Sequence, residues 1–359
     1  MKILKLGDIC EISTGSTDTK DASENGQYPL FDRSKKVKAS DKYLFDCEAL
    51  IMPGEGAEFL PRHYIGKFDL HQRAYAMYNF SELINPQYLY YYLISVKNYF
   101  ADNAVGATVK SLRRRHFTDL EVPLPSLEKQ SEIVTKLDSA FAEIEIMRLN
   151  IFGQLDANVS LLSRSIRNLI NDPDVKCRNT TLDNICENLD NKRIPITRDV
   201  RASGKYPYYG ASGIIDYVEN YIFEGDALLV SEDGANLLAR STPIAFSVSG
   251  KYWVNNHAHI LKFVNKELQK YVEYLLENTK LDDFITGAAQ PKLTQRALNT
   301  IPIRVPVDEE DIKKIVTIAS SLKELSSSMS ENLKLRLNLT DELQASLLGK
   351  YFNTEEAVA

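Results

Sequence analysis

The 359-residue chain is longer than one typical domain, and its 44% hydrophobic and 26% charged residues are an ordinary globular composition for two or three units. A net charge of −6 excludes an overall basic field, so any nucleic-acid contact has to come from local patches. Four cysteines (Cys10, Cys47, Cys177, Cys186) without CxxC spacing argue against a disulfide framework or zinc site, and no run of about eighteen apolar residues predicts a membrane span, so the expectation is a cytoplasmic protein.

In chain order, the first predicted elements are a short strand at Ala49–Met52 and a tyrosine-rich amphipathic helix at Tyr88–Val96. The stretch "AVGATVKSLRRRHFTDLEVPLPSLEKQSEIV" (Ala104 to Val134) then runs from a Gly-Ala pair through a basic cluster and a proline-closed apolar run into a helix start. From Leu127 the apolar residues fall at helical spacing: Ile133, Leu137, Ala140, Ile144, Met147 and Ile151, then Leu155, Leu162, Ile166 and Leu169. Glu128 after Ser126 suits the positive end of a helix dipole, and Asn171-Asp172-Pro173 ends the pattern.

Strands follow at Ala227–Val230 and His259–Val264, with a helix at Tyr271–Asn278. "ITGAAQPKLTQRALNTIPIRVPVDEEDIKKIV" (Ile285 to Val316) repeats the earlier phrase. A second long helix carries Ile315, Ala319, Leu322, Leu325, Met329, Leu333, Leu339, Leu343 and Leu347, opens on Asp308-Glu309-Glu310-Asp311 and is expected to end at Gly349. Each rod would be about 60 Å long, more than a helix covering its own domain needs, so the two are expected to pair and hold the globular parts apart.

The chain repeats itself. "YLFDCEALIMPGEGAEFL" (Tyr43 to Leu60) lies without gaps on "YIFEGDALLVSEDGANLL" (Tyr221 to Leu238), shifted by 178 positions, with seven of eighteen residues identical. "LGDICE" (Leu6 to Glu11) meets "LDNICE" (Leu182 to Glu187) at 176, Gly106-Ala107 meets Gly287-Ala288 at 181, and Ile133-Val134 meets Ile315-Val316 at 182. A slowly drifting offset is what loop-length changes leave in a duplicated domain, and the period is too long for a solenoid. Two homologous α+β domains, each followed by its own long helix, are expected.

Catalytic chemistry is not visible. There is no GxxxxGK[ST] loop, no Rossmann fingerprint and no HExxH. Asp174-Val175-Lys176 resembles half of a nuclease motif but has no counterpart in the other copy. His257-Ala258-His259 sets two imidazoles on one face of a strand, yet the other copy has Arg73-Ala74-Tyr75 there, which cannot bind the same metal. No catalytic or metal-binding residue is assigned.

Basic and amide-rich clusters remain. In the first copy they include Arg33, Lys35, Lys36, Arg62, Gln72, Arg73, Lys110, Arg113 and Arg114; in the second, Lys192, Arg193, Ser212, Arg240, Asn255, Asn256, His257, Gln290 and Lys292. Arg, Asn, Gln and His read base edges, while Lys and Arg hold phosphates. A solvated charged face explains any single run. It explains less well why such clusters recur at matching places with different residues: Gln72-Arg73 stands opposite Asn256-His257, and Arg33-Ser34-Lys35-Lys36 opposite Ala211-Ser212-Gly213-Ile214.

The whole chain resembles the specificity subunit of a type I restriction-modification enzyme. The resemblance rests on "GAAQPKLTQRALNTIPIRVPVDEEDIKKIV" (Gly287 to Val316), "GASGIIDYVENYIFEGDALLVSEDGANL" (Gly210 to Leu237) and "WVNNHAHIL" (Trp253 to Leu261), together with the duplication. The first copy departs from the usual phrase, with Val109-Lys110 for Gln290-Pro291 and Leu120-Glu121-Val122-Pro123 for Ile-Pro. The resemblance implies target-recognition domains at 1–125 and 173–306, spacer helices at 126–172 and 307–350 and a tail at 351–359, with the helices forming an antiparallel coiled coil in a pseudo-twofold arrangement. It further implies a non-catalytic subunit that binds double-stranded DNA, each domain reading half of a split site, and docks two methyltransferase subunits and restriction subunits. S-adenosylmethionine, ATP and Mg would belong to those partners, with no cofactor in this chain. The competing readings are a coiled-coil adaptor that never touches DNA, or a DNA methyltransferase or nuclease in its own right. For the latter, Asn85-Pro86-Gln87-Tyr88 is the nearest approach to an NPPY motif and fails at its third residue.

Overall fold

The computed structural model describes residues 2–287 and 289–352; Met1, Ala288 of the second Gly-Ala pair and residues 353–359 of the expected tail lie outside the described residues. The chain divides into two compact units, Met1–Phe152 with Lys334–Ala359, and Gly153–Leu333.

In the first unit, Phe45–Pro53 is the centre of a six-stranded sheet ordered Glu11–Thr14, Ala74–Tyr78, Phe45–Pro53, Arg62–Leu70, Tyr28–Phe31, Lys38–Ser40. Successive side chains of a strand point to opposite faces. Leu50 and Met52 therefore enter a cluster with Tyr88, Leu89 and Phe117, while Ala49 and Ile51 join Phe31, Phe68 and Leu70 on the other face. Burial on both faces is why this strand reads as a continuous apolar run. The pairs are antiparallel except Tyr28–Phe31 with Arg62–Leu70, which is parallel. The tyrosine-rich helix runs over Pro86–Ser95, capped by Asn85, whose side chain accepts from the Gln87 and Tyr88 amides.

The second unit repeats this plan. Tyr208 pairs in parallel with Trp253 as Leu30 does with Asp69, and the phenol of Tyr271 donates to the Arg304 carbonyl as that of Tyr88 does to Pro123. Here the sheet is split in two. Phe223–Glu224 and Ala227–Ser231 together replace the single strand Phe45–Pro53, and Ala245–Val248 with Lys251–Val254 replaces Arg62–Leu70. The break falls at Gly225, which stands where the first copy has Cys47 and adopts φ 102°, a region that interrupts a ladder and that side chains rarely enter. The α+β expectation is met. The strand expected at His259–Val264 is Ala258–Phe263, and the helix expected at Tyr271–Asn278 begins earlier, at Lys266, behind the Asn265 cap.

The two long helices, Leu127–Ile170 and Glu309–Phe352, have 44 residues each. Within the first unit, Ile133 and Leu137 share a core with Leu348 and Phe352; within the second, Ile166 and Ile170 share one with Ile312, Ile315 and Ala319. In either unit the early part of one helix meets the late part of the other, so each unit holds an antiparallel helix pair. Polar contacts fix them: Arg148 donates to Thr340 Oγ1 at 3.0 Å, to Gln344 Oε1 at 2.9 Å and to Asp341. Buried Asn158 donates to the Ser326 carbonyl at 2.8 Å and to Ser330 Oγ at 2.9 Å.

The apolar stripes need correction. Met147, Leu325, Met329, Leu339 and Leu343 are exposed, and Asn158 and Thr340 are buried in the pairing seams instead. Gly349 does not end the second helix, which continues to Phe352. Interior glycine costs roughly 1 kcal/mol, and burying Leu348 and Phe352 against Tyr88 and Tyr92 outweighs it. Among the described residues no helix is long and apolar enough to cross a membrane.

Candidate nucleic-acid interface

Each unit builds the same small frame from three chain segments. In the first, the Gly54 amide donates to the Arg73 carbonyl (2.8 Å), Leu112 to Gly54 (2.7 Å) and Gly56 to Lys110 (3.0 Å). In the second, Glu232 donates to His257 (2.9 Å), Leu293 to Glu232 (2.8 Å) and Gly234 to Pro291 (3.0 Å). These are the same three bonds at corresponding positions. They tie the end of the central strand to the turn carrying Arg73 or His257 and to the loop that follows the Gly-Ala pair. Glycine is required in that loop: at Gly106 (φ 133°) a Cβ would lie 2.1 Å from the Val109 carbonyl oxygen, and at Gly287 (φ 87°) 2.4 Å from that of Gln290.

On this frame Gln72 and Arg73 of the first unit line two adjoining open clefts, one of which is also lined by Arg33 and the other by Arg113. Glu55 lines both, with a side chain only 7% exposed. One carboxylate oxygen accepts from Arg33 at 2.9 Å and the other from Arg73 at 2.7 Å. Gln72 donates to Asp18 at 3.2 Å. Lys110 and Arg114 are exposed on the neighbouring loop and helix start. Arg62 donates to the Ser34 carbonyl and lies over the Phe31 ring, which gives it a supporting place beneath the Arg33–Lys36 turn. Lys35 pairs with exposed Glu58 at 3.0 Å, and Lys36 is exposed.

In the second unit Asp233, the repeat counterpart of Glu55, holds His257 Nδ1 at 2.9 Å. Asn256, Gln290 and Ser212 are exposed, and Lys192 reaches Glu187 at 3.5 Å. Three other candidates are committed inside the fold. Arg193 donates to Glu232 (2.6 Å) and to the Ala258 carbonyl (2.8 Å). Arg240, at φ 50°, spends its guanidinium on the carbonyls of Leu237, Leu276 and Thr279. Asn255 is buried and its side chain accepts from the His257 amide at 2.8 Å, shaping the turn. The donors of Arg193 and Arg240 are occupied, so their geometry suits a structural job better than DNA contact.

His259 is not beside His257 on an open face. It is fully buried, donating through Nε2 to the Leu293 carbonyl at 2.8 Å, with Nδ1 hydrogen-bonded to Asp190. Burial works against ionising Asp190, but the His259 bond, the Ile260 amide and Arg193 outweigh it and hold the carboxyl below its ordinary value. Glu232 is likewise held low against burial, chiefly by Arg193, with Lys292 at 3.2 Å. Asp190, Glu232 and His259 are close enough together to hold a metal ion. Two cations already neutralise the two carboxylates, so the trio reads as a closed ion network.

Glu55, Asp233, Asp190 and Glu232 were not among the residues expected from sequence. A signal existed for the first two: Glu55 falls on Asp233 in the ungapped repeat, beside the shared Gly56 and Gly234.

Comparison with known proteins agrees with this duplicated frame. Residues 1–155 and 175–339 match the type I restriction modification DNA specificity domain. A type I restriction enzyme specificity subunit from Haemophilus influenzae is 38% identical over 125 residues, covering 35% of this chain and 32% of that protein. The EcoDI specificity subunit from Escherichia coli is 34% identical over 144 residues, 40% of this chain and 32% of that protein. The chain thus spans about a third of the length of these two curated relatives. The EcoprrI specificity subunit, also from Escherichia coli, is 22% identical over 282 residues, 73% of this chain and 69% of that protein. A solved structure described as a basis for complex assembly and conformational transition of the type I R-M system shares the fold, with a TM-score of 0.72 at 13% identity over 98% of this chain and 97% of that one. With a domain that matches twice and a frame built twice, the chain belongs to the type I restriction modification DNA specificity family.

Proposed function

We propose that this chain is the sequence-reading subunit of a type I restriction-modification complex, in which each unit reads one half of a split double-stranded DNA site. The observation that supports this most is the repeated frame: corresponding backbone bonds hold a turn that carries different side chains, Gln72 and Arg73 in one unit and Asn256 and His257 in the other. Arginine, glutamine, asparagine and histidine present directional donors to base edges, and lysines nearby neutralise phosphates. Two modules built alike and dressed differently suit the reading of two different half-sequences.

In this reading the chain carries no catalysis. Methyl transfer with S-adenosylmethionine, and ATP- and Mg-dependent translocation and cleavage, belong to two methyltransferase subunits and to restriction subunits in the cytoplasm. The exposed apolar residues of the long helices, among them Ile146, Leu149 and Phe152 on one and Leu335, Leu339 and Leu343 on the other, support docking of such partners there. The paired helices then set the spacing between half-sites, as the geometry of a dimer does for its operator.

Methylation mapping tests the reading. The chain with its methyltransferase partner should methylate a two-part site, and the chain alone should methylate nothing. Inserting a heptad after Ile151 and another after Met329 should keep both half-sequences and widen the spacer by roughly three base pairs. Methylation by the lone chain, or a heptad variant with changed half-sequences and an unchanged spacer, counts against it.

A further inference from the structure

An acid is an odd residue to find among the arginines of a DNA-facing cleft, since it repels phosphate. Yet Glu55 and Asp233 hold corresponding places, and each pairs with the residue at the tip of the same turn although that residue is arginine in one unit and histidine in the other. Because Arg73 and His257 are themselves largely open to solvent, each contact is worth little more than a surface pair, about 0–1 kcal/mol, so stability alone is a weak reason for it. Both acids are also pinned by backbone: Glu55 pairs with Ser111 and Asp233 with Lys292 as isolated bridges to the loop behind the Gly-Ala phrase. Their side chains are 7% and 17% exposed, whereas those of Arg73 and His257 are 63% and 48% exposed. A fixed, largely covered carboxylate thus holds a reaching side chain with nitrogen donors.

We propose that Glu55 and Asp233 are positioning residues for sequence discrimination, an inference that rests on the DNA-reading function above. Each carboxylate orients its reader toward a base edge and withholds its charge from indiscriminate phosphate binding. Glu55 does so for two arginines at once, one on each oxygen. A guanidinium already held through one face of its fork enters the groove with fewer rotamers to lose and cannot swing to the nearest phosphate. Selectivity therefore comes from suppressing the wrong contact as well as making the right one.

The test uses the chain assembled with its methyltransferase partner, on duplexes bearing the wild-type methylation site, single-base changes in either half, and random sequence. Glu55→Gln frees two arginines. Random duplex should bind more tightly, with a steeper salt dependence, while discrimination within the first half-site falls by roughly tenfold and the second half-site is untouched. Asp233→Asn should give the mirror result for the second half-site. Glu55→Asp keeps the charge but shortens the reach; it should keep random-sequence binding low while losing part of the discrimination, and it carries the test if the glutamine variant does not fold. A merely structural acid would lower melting temperature and weaken all duplexes alike, which overturns the inference, as do variants with unchanged discrimination. A wild-type complex without sequence preference would overturn the DNA-reading function itself.

Discussion

Tyr75 and His259 occupy the same place in the two repeats and serve the same bond: the phenol of Tyr75 donates to the Leu112 carbonyl at 3.4 Å and the imidazole of His259 to the Leu293 carbonyl at 2.8 Å. Each links the central sheet to the loop behind the Gly-Ala phrase. The second link is shorter and wholly buried, and it continues into Asp190. His259→Phe should therefore cost about 2–4 kcal/mol by leaving the Leu293 carbonyl and Asp190 without this donor, whereas Tyr75→Phe should cost about 1 kcal/mol or less. Thermal denaturation ranks the two variants. Hydrogen exchange at the Leu293 amide should accelerate in the first and the Leu112 amide should change little in the second.

Acid should attack the second unit through Asp190. Its carboxyl sits below the ordinary value in the folded state, so its contribution is fully present above the unfolded value and is lost as pH falls through the lowered one. The melting temperature should drop as pH falls below the ordinary aspartate value of about 4. Asp190→Asn should start lower, by about 3 kcal/mol for an ion pair broken inside the fold, and show a flatter acid limb. Melting curves of the two proteins as pH is lowered decide it.

The end of the last helix belongs to the first unit's core. Phe352 is 6% exposed and packs its ring 5.3 Å from that of Tyr88. Phe352→Ala should cost about 3–4 kcal/mol in the first unit and leave the second unit's melting unchanged. Partial proteolysis followed by fragment identification separates the two units, and the reader half affected should be the first.

Arg148 bonds three side chains of the opposite helix, and its own side chain is 22% exposed. Arg148→Ala should destabilise the first unit by about 1–2 kcal/mol, and Arg148→Lys should recover little because a lysine cannot span the fork. Denaturant unfolding measures both.

The duplication was legible from residues alone because the buried strand and the bend after it are spelled alike in both copies, as Leu50 over Leu228 and Gly56 over Gly234 show. The helices were legible by period. Their seams were not, since spacing cannot say which neighbour a side chain meets. Leu325 and Leu339 fit the pattern yet face outward, and Asn158 breaks it yet is buried because the Ser326 carbonyl and Ser330 satisfy its amide. The candidate interface was half legible. Arg33, Gln72 and Arg73 do gather in one cleft, but Arg193 and Arg240 look the same in sequence and are turned inward by Glu232 and by helix-end carbonyls. Only the partner reveals the difference.

The division of the chain has a consequence for how the protein is made. Gly153–Leu333 is one uninterrupted segment, whereas the first unit needs Leu348 and Phe352, which emerge from the ribosome only after the whole of that segment. At roughly 5–20 residues per second, the N-terminal domain waits about 10–40 seconds with the seat for that helix end uncovered. The order of synthesis and the order of completion are therefore reversed, and the domain begun first is finished second. During that interval Tyr88, Tyr92 and Leu137 present an apolar surface that a nascent-chain chaperone would recognise, and a ribosome stalled before Leu348 would leave it open.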